Sequence, residues 1–217
     1  MNKTHLATLL TMLSAFVIGL LDVYGILAHE GSVISAQTGN LVNLALSLAQ
    51  GDFAALPSHL ALLLGFAAGC ILPVFLVKSW FKNKSQWTLW TVFTMMVWIR
   101  VLFGTSLSTN ASLVDLSFIA GLALSFFRNL RTSNLNNGIM TGNLKNMYGA
   151  FIEAIVYKQR QKYPEAFNLL LVIVCFFAGA LIGGWVAKIA LVWVLVASGV
   201  SCLLPYLVIF KKTTEES

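Results

Sequence analysis

The chain has 217 residues, 58% of them hydrophobic and only 10% charged, with a mean hydropathy of +0.82 and a formal net charge of +6. A soluble domain carries about 25% charged residues, so the composition excludes a water-soluble globular protein and places the chain in a membrane. The basic excess does not point to nucleic acid, because the cations stand at the ends of apolar runs, where membrane proteins use them to set orientation.

A helix needs about 20 mostly apolar residues to cross the hydrocarbon core. The first such run is 6–28, after Lys3. It exceeds the apolar core of about 7–15 residues in a cleaved signal peptide and lacks a small-x-small site, so it reads as a retained span. Asp22 sits late in it. The polar word "QTGNLVN" at 37–43 then opens a short helical segment, 39–50. Pro57 opens the run 57–77, which contains "GFAAG", and a connector with Lys78, Lys82 and Lys84 leads to 87–106, which contains Arg100. The run 112–128 is at the short end for a span. After the polar connector 128–138 a second word, "MTGNLKN" at 140–146, opens the segment 142–156. Pro164 precedes the run 165–187, which contains "GALIG", and the run 189–210 ends before Lys211 and Lys212. The small-xxx-small patterns predict close helix packing. Trp80, Trp87, Trp90 and Trp185 stand near span ends and suit an aromatic belt.

The fold class is therefore an all-α membrane protein, and two arrangements compete. With eight crossings in parallel repeats, the connector of Lys78, Lys82 and Lys84 falls outside, against the positive-inside bias. With six transmembrane helices plus two short re-entrant, non-crossing helices, that connector joins Lys3, Arg128, Arg131, Lys158, Arg160, Lys162, Lys211 and Lys212 on the cytoplasmic side. The outer side then keeps Lys188 alone, so the second arrangement is preferred. It makes a single polytopic domain over 1–217, with repeat one at about 6–106 and repeat two at about 112–210. An odd number of crossings separates equivalent elements, so the repeats are inverted, as in many transporters.

Ordered landmarks support the duplication. Thr38 and Thr141 are 103 residues apart (141 − 38), and Gly19 and Gly121 are 102 apart (121 − 19). Pro57 and Pro164 are 107 apart (164 − 57), and "FAAG" at 66–69 precedes "FFAG" at 176–179 by 110 (176 − 66).

The stretches "GLLDVYGIL" and "SAQTGNLVNLALSLAQGD", with "FFRNLRTSNLNNGIMTGNLKNM" in the second half, carry a family resemblance. On these residues the chain resembles the YoaK family of bacterial inner-membrane proteins, a domain-of-unknown-function group with a TGN word in each half. The chain departs from that pattern at "SFFRN", where Arg128 stands near the position of a family glutamine. The resemblance implies a multi-pass bacterial plasma-membrane protein with no established substrate.

Gly in the TGN words permits tight backbone turns, and Thr and Asn are good helix N-caps. A helix that begins inside the membrane needs such caps, or a ligand, for its free N–H groups. Thr38, Gly39 and Asn40, with Thr141, Gly142 and Asn143, are thus either caps or solute contacts. Asn43 and Asn146 extend each word by one turn on the same face, a polar stripe beyond what capping needs. Ionisable groups in a span are functional candidates. Asp22 is a candidate proton or cation site or a partner for Arg100 or Arg128, and Lys145, where the first word has Val42, favours an anionic solute. Glu153 and Arg128 read as snorkelling side chains near an interface.

The expected function is a small-solute transporter or channel with its site between the two TGN helices, an anion being favoured by Lys145, and proton- or ion-coupled through Asp22. The alternative is a non-transporting membrane scaffold or partner-binding protein. The chain lacks HExxH and GxSxG motifs and a close carboxylate pair, so no enzyme is expected. His5, His29 and His59 are scattered, and Cys70, Cys175 and Cys202 read as small core residues, so neither metal nor cofactor is expected. The expected partners are the bilayer, a small solute and a second copy in a homodimer, with both termini cytoplasmic.

Overall fold

Each long apolar run becomes a helix, and the breaks fall where proline, glycine or polar residues interrupt it. The structure, a computed structural model, describes residues 3–29, 31–79, 85–127 and 140–215. Regular structure among them is wholly helical: α1 (Lys3–Ala28), α2 (Gln37–Gln50), α3 (Leu56–Ser79), α4 (Gln86–Phe103), α5 (Thr109–Phe126), α6 (Met140–Ile155), α7 (Tyr163–Ala187) and α8 (Val192–Glu215). Single 3₁₀ turns lie at Gly104–Ser106 and Arg160–Lys162. Trp80, Lys82, Lys84, Arg128 and Arg131 lie outside the described residues.

Local chemistry accounts for the ends. Pro57 and Pro164 each take the second position of their helix, where the missing N–H has no partner to lose. Gly51 closes α2 in a left-handed conformation (φ 71°) that frees its N–H for the carbonyls of Ser47 and Leu48. Ser85 caps α4 by accepting from the Thr88 N–H.

Four stretches among the described residues are long and apolar enough to cross a membrane: His5–Ala28, Leu56–Phe75, Thr109–Phe126 and Arg160–Ala187. Val192–Leu207 is a shorter apolar stretch. α4 is as long as α5 and carries Gln86 at its start and Arg100 in its last turn. The outer surface fits lipid. In α2 the buried residues are Asn40 and Ser47, whereas Leu41, Val42, Leu46 and Leu48 face outward. That inversion of the soluble pattern is favourable only where the surroundings are apolar.

Glycines let two helix pairs approach closely. A Cβ on Gly19 of α1 would strike the backbone of Phe176 and Ala180 in α7, and one on Gly179 would strike Phe16. A Cβ on Gly121 of α5 would strike the backbone of Phe66 and Cys70 in α3, and one on Gly69 would strike Phe118 and Leu122. These contacts correspond. Gly19 and Gly121 differ by 102 positions (121 − 19), and Phe66 and Phe176 by 110 (176 − 66). The small-xxx-small patterns thus serve packing inside the chain.

The ends of the helices sort into two groups. The C-terminal ends of α1 and α4 meet the N-terminal ends of α3 and α5: His29 contacts Ser112, and the Ser58 hydroxyl donates to Asn110 Oδ1 at 3.0 Å. At the other end the start of α4 meets the latter part of α8, where the Trp90 indole donates to the Cys202 carbonyl at 3.0 Å and Tyr206 donates to Thr91. Trp90 is fully buried against Phe93 and Phe127, so it belongs to the core and not to an aromatic belt. Trp185 is exposed, as a belt residue requires.

Candidate functional site

Arg100 lies in the last turn of α4 and is 1% exposed. Gly104 makes room for it, since a Cβ there would come within 2.8 Å of Arg100 Cζ. The guanidinium carbon stands 5.3 Å from the centre of the Tyr24 ring, a cation–π contact. Nη2 donates to Ser112 Oγ at 2.7 Å, and Nε lies 3.7 Å from Asp115 Oδ2. Arg100 Nε and Nη1 and Asp115 Oδ2 have no hydrogen bond among the described residues. A buried polar atom left so costs about 1–3 kcal/mol.

Ser112 relays this charge to His29, whose Nε2 stands 2.7 Å from Ser112 Oγ. Arginine only donates, so the Ser112 oxygen accepts from Arg100 and its hydrogen is left to donate to His29 Nε2. In that arrangement the imidazole is neutral with its proton on Nδ1; in the other tautomer Nε2–H donates to the second lone pair of Ser112. Burial, and then the charge of Arg100, push the His29 imidazole below its ordinary value of 6.5, in the same direction.

A second buried acid closes the loop between α1 and α2. Asp22 is 3% exposed, and both Ser35 groups donate to it: the N–H to Oδ1 at 3.0 Å and the hydroxyl to Oδ2 at 2.6 Å. Gly25 lets the loop lie on α1, because a Cβ there would come 2.8 Å from the Ser32 carbonyl oxygen. Asp22 does not pair with Arg100, whose ion-pair partner is Asp115. Arg128, its other expected partner, lies outside the described residues.

The first TGN word works differently from a cap. Ala36 occupies the N-cap of α2 and no side chain caps it. Asn40 is buried and its Nδ2 donates to the Val33 carbonyl at 3.2 Å and to Gln37 Oε1 at 3.3 Å, while Gln37 donates to the Ile34 carbonyl. Asn40 therefore satisfies loop carbonyls, not helix N–H groups. Thr38, Gly39 and Asn43 are exposed. In the second word Asn143 is buried and its Nδ2 lies 3.8 Å from Met140 Sδ, Gly142 is half-buried, and Thr141, Lys145 and Asn146 are exposed. Met147 of α6 packs with Ala15, Leu169 and Val172, which seats that helix on α1 and α7. Glu153 does not snorkel freely: it pairs with Lys162 at 3.2 Å, and Lys162 with Glu165 at 3.1 Å.

Two hollows flank the Arg100 network. A cavity of about 460 Å³ is lined by His29, Ser32, Asp52, Ser58, His59 and Thr109 among others. His59 Nδ1 is buried with no hydrogen bond among the described residues. On the other side a groove of about 600 Å³ is lined by Arg100 and Asp115 and otherwise by apolar side chains. None of the ten residues expected at the site lines either hollow. Asp22 and Asn40 are brought together through the loop 33–35, and Asn143 and Lys145 lie on the separately seated α6.

Ser112 and Asp115 are not among the residues expected from sequence, and His29 stands there only as one of three scattered histidines. A signal was present: an arginine within an apolar run needs a counter-charge, and Asp115 lies in the run 112–128. The profile of a family described as "Protein of unknown function (DUF1275)" matches residues 10–208. The chain belongs to the DUF1275 family. No curated protein and no solved structure matches it. Membership in DUF1275 thus covers nearly the whole helical body and assigns no activity.

Proposed function

We propose that this DUF1275 chain is a multi-pass membrane transporter or channel for a small polar solute, bound first in the cavity between the ends of α1, α3 and α5. The observation that carries the proposal is the His29–Ser112–Arg100 chain, which runs from His29 in the cavity wall to the buried Ser112 and Arg100, beside a His59 Nδ1 that lacks a partner among the described residues. Buried ionisable groups in a membrane domain are costly and mark solute or ion pathways. Asp22 serves as the coupling site, since a proton on its carboxylate turns one acceptor oxygen into a donor and loosens the Ser35 latch.

In this reading α1, α3, α4, α5, α7 and α8 cross a bacterial plasma membrane, both termini are cytoplasmic, and α2 and α6 enter without crossing. His29 and Ser32, after α1, and Asp52, Ala54 and Ala55, after α2, border one cavity, which supports a return of the chain to the same side after α2. The end of α1 meets the start of α5, which supports opposed directions for these equivalent helices. Parallel repeats of eight crossings call for the same direction. The corresponding glycine contacts support duplication. The scaffold alternative draws on the outward apolar faces of α2 and α6, but lipid contact accounts for the same faces.

The test is a thermal-shift screen of purified protein with amino acids, sugars, nucleosides and inorganic anions, followed by uptake of each hit into proteoliposomes. A hit should lose its shift in His59→Ala and Asp52→Asn and keep it in Lys145→Ala. Hits indifferent to both cavity variants, or hits that never accumulate in vesicles, overturn the proposal.

A further inference from the structure

The groove on the far side of Arg100 has a different chemistry from the polar cavity. Its walls are Ile99, Phe103, Leu107, Ala111 and Val114, and these side chains are exposed. Only Arg100 and Asp115 bring charge to it. Arg100 is 1% exposed and already gives Nη2 to Ser112, yet its Nε and Nη1 have no hydrogen bond among the described residues. Asp115 Oδ2 is in the same condition and stands 3.7 Å from Nε, beyond hydrogen-bond reach. Behind the groove's apolar walls, buried donors without an acceptor thus stand beside a buried acceptor without a donor.

Depth adds a constraint. Arg100 lies one turn from the end of α4 at Phe103, and Asp115 lies less than two turns from the start of α5 at Thr109. Both charges therefore stand within about 5–9 Å of the helix ends and not at mid-helix. A free solute would make no use of the outward apolar walls. A lipid would lay its acyl chains along them.

We propose that this groove binds one zwitterionic aminophospholipid, with its phosphate on Arg100 Nη1 and Nε and its primary ammonium on Asp115. Such a headgroup fills both unmet polar sets at once through charge-assisted hydrogen bonds. A choline headgroup has no N–H to give Asp115, and a glycerol headgroup brings no cation to it. Phosphatidylethanolamine is the occupant that satisfies both charges.

The test uses the full chain, purified and delipidated in detergent, with phosphatidylethanolamine, phosphatidylcholine or phosphatidylglycerol of matched acyl chains added in turn. Retention is read by native mass spectrometry. Wild type should retain phosphatidylethanolamine about tenfold more tightly than either competitor, the effect of one charge-assisted hydrogen bond. Asp115→Asn should bring phosphatidylethanolamine and phosphatidylglycerol to near parity. Ala111→Trp fills the groove from an exposed position and leaves both charges in place, so it should abolish the preference while the melting temperature in plain detergent is kept. Equal retention of all three lipids by wild type overturns the proposal. So does a phosphatidylethanolamine preference that survives Ala111→Trp.

Discussion

Replacing Gly19 by alanine should separate α1 from α7. The added Cβ meets the Phe176 carbonyl oxygen in direct clash and comes within 2.9 Å of the Ala180 nitrogen. Both are helix backbone atoms that no rotamer change can move, so the helices must part. Overpacking of this kind costs about 1–3 kcal/mol. Alanine returns up to about 1 kcal/mol of helix propensity over glycine, which leaves a net loss of up to about 2 kcal/mol. For a chain of this size each kcal/mol moves the midpoint by about 2–4 °C. Thermal unfolding in detergent should therefore show a fall of several degrees. Gly121→Ala, which meets the Phe66 carbonyl in the corresponding place, should fall by a similar amount. Gly184→Ala supplies the opposite sign: it lies in α7 with nothing within 4 Å of its Cβ, so only the propensity gain remains. A rise in midpoint for Gly19→Ala equal to that of Gly184→Ala would refute the close-packing argument.

Three further outcomes are expected. His29 has its folded value held below 6.5, so the unfolded chain takes a proton first as pH falls; its contribution is complete above pH 6.5 and is lost as pH drops through the folded value. Midpoints measured from pH 8 to pH 5 should decline less steeply in His29→Gln than in wild type, and identical slopes would remove His29 from the account. Ser35→Ala deletes a hydroxyl bond to a buried carboxylate, worth about 1.5–3 kcal/mol, and should speed amide exchange over residues 32–36 above wild type; unchanged exchange there would mean that Asp22 does not latch the loop. In a background lacking Cys70, Cys175 and Cys202, a cysteine at Ala54 should react with an impermeant maleimide on intact cells and one at Lys145 only after lysis. The reverse pattern would favour α2 as a crossing helix.

Much of the site was legible as residue types but not as partners. Asp22 and Arg100 stand out in any reading because a charge inside an apolar run is costly. Of the partners open to Arg100, the structure holds Asp115 and not Asp22, since helix placement sets which ends meet. The TGN words stand out because they are polar, yet polarity alone does not distinguish a cap from a loop tie. Asn40 has its carbonyl partner at Val33, seven positions earlier, where the loop folds back on the helix.

The amino-acid order by itself determined that the protein is helical, that it belongs in a membrane, and where each helix begins and ends, within a few residues. These properties follow from local hydropathy, from proline and glycine chemistry, and from the requirement that lipid-embedded backbone satisfy itself. The repeated glycines also foretold close packing. Only the tertiary structure decided which glycine faces which helix, that Arg100 rests on Ser112 and Asp115, and that His29 joins them from 83 positions before Ser112. Long-range pairs of that kind depend on how whole helices are placed, and helix placement is set by the sum of many weak packing contacts that no short stretch of sequence contains.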